Sequence, residues 1–433
     1  MAIDWHEIRH RFDPLARPTP HEVPHIYVRR PAGLTADLIV HLHPEVPERI
    51  CLLLGQRSSG KTTELLQVMA DLQVHYLVVV VDLGDVLPET FGILDVLFAL
   101  GVALYRVGEE VASGQLDRRL YTDLLAGMGN SAQKWVERRQ DGLVIPALAK
   151  ALVLAARSIA PGPVVDITEK IAERVLDALR VERSESTDIE RRLEQEPRPG
   201  EVLDCLRAIV EALEHTVARR PLLLLADGLD AFHPDLAFNV ARREDILSAL
   251  PCRAVFVAPP DLRIALGAPA LHKLDLIGLP NLRVTDPDGR GGLPDATLQF
   301  FDELVGRRLP DGLSRERLLE DEQLARLART SGGVIRDFVR MVYEACGYAA
   351  QESKSHLDGA CIDHGIDELA QTMGPRARLE NVRAILARVA KDHVLPTGPE
   401  ALDLIHHNLV LLYRLGRHTW YDVHPAVKED LPG

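Results

Sequence analysis

An apolar run, Ile50-Cys51-Leu52-Leu53-Leu54, passes directly into Gly55-Gln56-Arg57-Ser58-Ser59-Gly60-Lys61-Thr62-Thr63 and then into a helix-forming stretch. That order of buried strand, Gly-bounded loop and helix leaves few folds open. A loop of this composition curls so that successive backbone N–H groups converge on an anion. The helix that follows adds the positive end of its dipole at the same point. A plain Gly-Ser turn would use the glycines but not Lys61, because a helix start disfavours a cation. In the phosphate-binding reading the nine loop residues Gly55 to Thr63 cradle a nucleoside triphosphate. Lys61 then reaches the β- and γ-phosphates, and the Thr62 hydroxyl holds Mg²⁺.

Such a site needs an acid at the tip of a neighbouring strand to hold the metal. Leu222-Leu223-Leu224-Leu225-Ala226-Asp227-Gly228-Leu229-Asp230 supplies one, with Asp227 where the leucine strand ends. Further apolar runs of strand length are Tyr76 to Val81, closed by Asp82, then Ala254 to Ala258, and a weaker one within Leu274 to Val284. Leu65, Leu66, Val68, Met69 and Leu72 give the helix after the loop one apolar face. Strands alternating with helices predict an α/β fold, a P-loop NTPase parallel sheet with helices on both faces.

Lys61 and Asp227 stand 166 positions apart, far more than two βαβ units occupy, so the spacing predicts a helical insertion at about 106–200. The insertion is either a passive elaboration or a part that senses a trigger or touches a neighbour. Within it, Gly142 to Val165 is apolar, but Pro146 and Pro161 bracket 14 residues, about 21 Å of helix. That is too short for a hydrocarbon core of roughly 30 Å, so no integral membrane segment is expected. Helical patterns fill about 296–352, and residues 376–433 read as two helices and a β-hairpin, a winged-helix pattern. The expected division is an N-terminal arm at 1–30, the nucleotide core at 31–285, a helical lid at 286–375 and a winged helix at 376–433.

A formal charge of −14 argues against a protein that coats nucleic acid by bulk electrostatics. Residues 376–433 carry eight Lys/Arg against seven Asp/Glu, a relative basic excess that leaves one local contact open. The five cysteines are scattered with no CxxC pair, and the first twenty residues hold no apolar segment, so a cytoplasmic location is expected.

Asp227 followed by the small Gly228 and by Asp230 three positions on resembles the NACHT-type pattern of STAND signalling ATPases, relatives of AAA+ proteins. The resemblance implies binding of ATP with Mg²⁺, metal held by Thr62 and Asp227, and a water-positioning or outer metal role for Asp230. Ordinary AAA+ enzymes carry Glu where Gly228 stands, so slow hydrolysis is implied. Ser331-Gly332-Gly333-Val334-Ile335-Arg336 resembles the lid-helix start of origin-recognition-type AAA+ ATPases, which implies that Arg336 touches the γ-phosphate. Arg336 is preferred to Arg340 because it stands closer to the Gly-Gly pair. Val423-His424-Pro425 is similar to the winged-helix His of STAND proteins that bonds the ADP β-phosphate. Strand four ends Ala258-Pro259-Pro260 without the polar sensor of AAA+ proteins, and Arg263 is a candidate trans-acting finger. Tyr27-Val28-Arg29-Arg30 falls where related ATPases pack adenine.

Two functions follow as expectations. The first is a nucleotide switch: Lys61, Thr62 and Asp227 bind ATP, Arg336 and His424 report its state, and the protein forms a homo-oligomer that controls a separate effector protein in bacterial anti-phage or conflict signalling. The second is a DNA-acting AAA+ ATPase, an initiator or transposition regulator, gripping duplex through its winged helix with Arg414, Arg417 and His418.

Overall fold

A computed structural model describes residues 3–19, 21–31, 34–46, 49–111, 116–128, 198–218, 220–262, 272–287 and 291–428. Five six-residue strands form one parallel sheet: β1 (Ile50–Gly55), β2 (Leu77–Asp82), β3 (Leu222–Asp227), β4 (Arg253–Ala258) and β5 (Leu274–Leu279). Their spatial order is β2-β3-β4-β1-β5. The continuous apolar runs follow from burial on both faces. In β1, Ile50, Leu52 and Leu54 enter one core, while Cys51 and Leu53 enter the core on the opposite face. β3 and β4 divide their residues in the same way.

On one face lie α2 (Leu34–His41), through Leu38, and α3 (Lys61–Leu72), whose Leu65, Leu66, Val68, Met69 and Leu72 are all buried. The other face carries α4 (Ile93–Val111), α5 (Arg118–Met128) and α6 (Pro199–Leu213). Residues 106–111, 116–128 and 198–200, the described ends of the expected insertion, therefore belong mainly to this helical layer. Its middle, including the apolar stretch Gly142 to Val165, lies outside the described residues, as does Arg263. Among the described residues no helix is long and apolar enough to cross a membrane.

The lid is α7 (Asp295–Arg308), α8 (Asp321–Thr330), α9 (Ile335–Gln351) and α10 (Gly359–Ala377). Its core also contains Trp5, Ile8 and Phe12, from or just after α1 (Trp5–Arg11), so the N-terminal arm packs on the lid. The Trp5 indole N–H donates to the Lys354 carbonyl at 2.9 Å, bridging 349 positions of sequence. α10 runs past residue 375, and its Ala377 lies in the core of the C-terminal module. That module continues as α11 (Glu380–Asp392), α12 (Pro399–His406) and the antiparallel hairpin β6 (Val410–Leu415) and β7 (His418–Val423), the helical and hairpin pattern of a winged helix.

A third contact joins lid, sheet and hairpin. Gly332 and Gly333 both have positive φ, 60° and 76°. A Cβ on Gly333 would stand 1.8 Å from the Leu282 carbonyl oxygen, so only glycine lets the lid approach the chain after β5. The Tyr413 hydroxyl of β6 donates to the Gly332 carbonyl at 2.7 Å, with Val284, Val334, Leu411 and Trp420 packed around it.

Candidate functional site

The loop between β1 and α3 is held from outside by its carbonyls. The Lys61 ammonium donates to the carbonyls of Gly55 at 2.7 Å and Gln56 at 2.5 Å. Asn408 Nδ2 donates to the Arg57 carbonyl at 3.1 Å, and the Arg336 backbone N–H to Ser58 at 3.3 Å. Arg30 Nη1 donates to Ser59 at 2.6 Å and Nη2 to the Pro280 carbonyl at 2.9 Å. Ser58 at φ 66° and Gly60 at φ 93° take the left-handed conformation from which nests of backbone N–H groups are built. The N-terminal arm, the lid and the C-terminal module each hold a different loop carbonyl.

Arg57, Ser58, Gly60, Lys61, Thr62 and Thr63 line a cleft of about 230 Å³ with Arg17, Asp82, Asp227, Asp230, Arg308 and Arg336. Lys61 is 4 % exposed, and its ammonium lies 2.7 Å from Asp230 Oδ2. The Thr62 hydroxyl donates to Asp227 Oδ2 at 2.5 Å. Parallel pairing of β2 with β3 sets Asp82 opposite Asp227 at the two strand tips. Burial, with the nearby Asp230 charge second, pushes the Asp227 carboxyl up to about 6, against the Thr62 hydrogen bond. Burial likewise raises Asp82, against the pull of Arg17.

Gly228 shows why no acid follows Asp227. Its φ is 96°, and a Cβ there would lie 2.4 Å from the Gly84 nitrogen and 2.8 Å from Asp82 Oδ1. The tip of β2 occupies the space that a longer residue would need. Asp230, one short turn further on, brings a carboxylate back to the cleft instead.

Thr62 and Asp227 offer a hydroxyl and a carboxylate on one side of the cleft. Mg²⁺ takes one or two protein oxygens and fills its octahedron with phosphate oxygens and water. That donor set fits a magnesium–nucleotide complex. Among the described residues no cluster of three or more His, Cys, Asp or Glu forms a metal site by itself.

The lid delivers Arg336 to the cleft, whereas Arg340 turns away and donates to Thr372 Oγ1 at 2.7 Å. Partial desolvation and the nearby Arg57 lower the Arg336 pKa, against Asp337 and Asp230. The expected nucleotide ligand His424 is not brought to the cleft. It is fully buried behind the lid helix, its Nε2 3.4 Å from Asp337 Oδ2 and its Nδ1 accepting from the Ala426 N–H at 3.2 Å. Tyr27, expected near adenine, donates to Glu64 at 3.2 Å.

The least expected contact is made by Gln56, 2 % exposed. Its Nε2 donates to the carbonyls of Val410 at 2.8 Å and Ile405 at 3.1 Å. Its Oε1 accepts from the Leu412 N–H at 2.7 Å and from Asn281 Nδ2 at 2.5 Å. One loop side chain thus binds the backbone of the C-terminal module on both sides of Asn408. Sequence spacing gave no signal for this partner, nor for Arg17 or Asp82 as cleft residues.

No protein-family profile and no curated protein matches the chain. Among solved structures it is similar to Cdc6p from Pyrobaculum aerophilum, at 13 % identity over all of both chains and a TM-score of 0.38. It is also similar to the Aeropyrum pernix ORC2 protein in ADPNP–ADP complexes, at 12 % identity, 98 % and 95 % coverage and a TM-score of 0.40. A third match is to Drosophila ORC bound to DNA, at 10 % identity, 98 % and 89 % coverage and a TM-score of 0.39. Likeness this distant assigns no activity. The α/β P-loop NTPase architecture rests on the sheet order and the site geometry above.

Proposed function

We propose that the protein is a nucleotide-controlled ATPase of AAA+ type in which ATP binding governs whether the C-terminal winged helix stays docked. The observation that carries this reading is the set of hydrogen bonds from Gln56 and Asn408, which ties the phosphate loop to residues 405–412. The loop amides and Lys61 bind the β- and γ-phosphates. Thr62 and Asp227 hold Mg²⁺, which when bound neutralises charge on those phosphates. Lys61 leaves Asp230 for the phosphates, and Asp230 then orients water. Arg336 meets the third phosphate, so ATP and ADP differ in affinity for the closed lid, and only such a difference can shift an equilibrium. With Gly228 in place of a catalytic Glu, turnover is slow.

For what the module does once free, duplex DNA is the better supported partner. The hairpin tip exposes Arg414, Arg417 and His418, and residues 409–421 contain no acid. α12 itself carries Glu400 and Asp403, so contact would run through the wing. Homo-oligomerisation and control of a separate effector, as in STAND signalling, remains the second reading. It rests on the Asp227-Gly228-Leu229-Asp230 pattern.

The site is tested with Lys61→Ala, expected to abolish ATP binding, and Asp227→Ala, expected to keep binding and lose turnover; wild-type hydrolysis in either variant refutes it. Duplex titrations at low and moderate salt, with and without ATP, separate the outputs. ATP-dependent, salt-sensitive binding supports the DNA reading. Its absence, together with an ATP-dependent rise in light-scattering mass, supports oligomeric signalling.

A further inference from the structure

Four arginines line one small cleft: Arg57 from the loop, Arg308 and Arg336 from the lid, and Arg17 from the segment after α1. Arg17 and Arg57 both lie close enough to Arg336 to act on its charge. Arg17 reaches across the mouth to Asp82, on the β2 tip beside Asp227, and, at 3.2 Å, to Asp85 in the helical turn that follows. Its side chain is 58 % exposed and has room to turn. With Lys61 these cations outnumber the cleft's carboxylates, Asp13, Asp82, Asp227 and Asp230, so an entering polyanion meets a net positive charge. A triphosphate is such a group, and with its phosphates on Lys61 its terminal phosphate would lie beside Asp227, in the cleft that Arg17 also lines.

We propose that Arg17 is an arginine finger supplied by the protein's own N-terminal arm, leaving Asp82 and Asp85 to bind the terminal phosphate during hydrolysis. The inference rests on the ATPase reading above. In the step, water oxygen bonds to the γ-phosphorus as the bond to the β–γ bridging oxygen breaks. The electron pair stays on that oxygen as ADP leaves, and the proton lost by water passes to the released phosphate. Arg17 remains protonated throughout and stabilises charge spread over the transferred group. Because the arm packs on the lid through Trp5, Ile8 and Phe12, the finger is in place only while that packing holds. No second copy is needed to complete the site.

The test compares full-length wild type, Arg17→Ala and Arg17→Lys in three measurements. These are steady-state ATP turnover, ADP affinity, and affinity for ADP with aluminium fluoride, a mimic of the transferring phosphoryl group. Removing one such donor is expected to lower kcat by roughly a hundredfold or more while ADP affinity stays within about threefold. Binding of the fluoride complex falls with kcat, and Arg17→Lys restores part of both. Wild-type turnover per protomer is expected to be independent of protein concentration down to dilutions at which light scattering reports monomers. An Arg17→Ala enzyme with unchanged kcat and unchanged fluoride affinity overturns the proposal, as does wild-type turnover that vanishes on dilution. If neither nucleotide binds wild type better than Lys61→Ala, the ATPase reading itself falls. That result is distinct from a selective Arg17 effect.

Discussion

Replacing Gln56 by leucine keeps side-chain volume and removes every polar contact between this loop position and the C-terminal module. Three hydrogen bonds cross to the module, to Val410, Ile405 and Leu412, at 2.8, 3.1 and 2.7 Å. The approach to Asn408 Oδ1 at 3.4 Å is too long to add much. Each bond contributes about 1 kcal/mol net, and the orphaned Leu412 N–H costs about 1–3 kcal/mol more if it stays buried. Docking should weaken by about 4 kcal/mol, close to a thousandfold at about 1.4 kcal/mol per decade. Asn408 to Arg57 and the Leu411–Tyr413–Trp420 packing still oppose full release. Hydrogen exchange on peptides covering residues 404–424 reads this directly. Without nucleotide, Gln56→Leu should lose two to three decades of protection there while β1 to β5 keep theirs. Unchanged protection in that segment would refute the claim that Gln56 couples loop and module.

Two further outcomes follow from the strand tips. Asp227 has its folded pKa raised to about 6, from an ordinary value of 3.8. At this site the folded state therefore binds more protons than the unfolded state between those values, and Asp227's contribution to stability should fall as pH rises from about 4 to 6. Asp227→Asn removes its own share of that slope, leaving the share of Asp261, which burial also raises to about 6, and raises the melting temperature of the nucleotide-free protein above pH 6, as thermal unfolding across pH would show; an unaltered slope contradicts the assignment. Gly228→Ala places a methyl 2.4 Å from the Gly84 nitrogen at φ 96°. It should destabilise the fold by roughly 2 kcal/mol or more in urea unfolding, since both strain and overpacking act there.

The sheet was legible because parallel strands buried on both faces read as unbroken apolar runs, so Leu222 to Ala226 was recognisable without any partner. Boundaries moved by one residue where a side chain serves elsewhere. Tyr76 lies just outside β2 and donates its hydroxyl to the Leu42 carbonyl at 2.7 Å. The loop, Asp227 and Arg336 line one cleft, a proximity that the local spacing of each motif already implied. Gln56 was legible as a loop residue but not as a bridge, because its partners at 405–412 are set by tertiary packing alone. His424 misled for the same reason: its motif is local, but burial behind Asp337 decides what it touches. Arg17 carries no motif, and only the packing of the arm on the lid brings it to the cleft.

The hydrogen bond from Trp5 to Lys354 has a consequence for synthesis. At roughly 5–20 residues per second, a ribosome needs on the order of 20–70 s to make the 349 positions between them. During that interval the sheet strands and their flanking helices can assemble, while Trp5, Ile8 and Phe12 have no lid to cover them. On the nascent chain α1 is thus a greasy tag until translation passes residue 354, open to chaperones or proteases, and its burial marks a chain whose lid has been made.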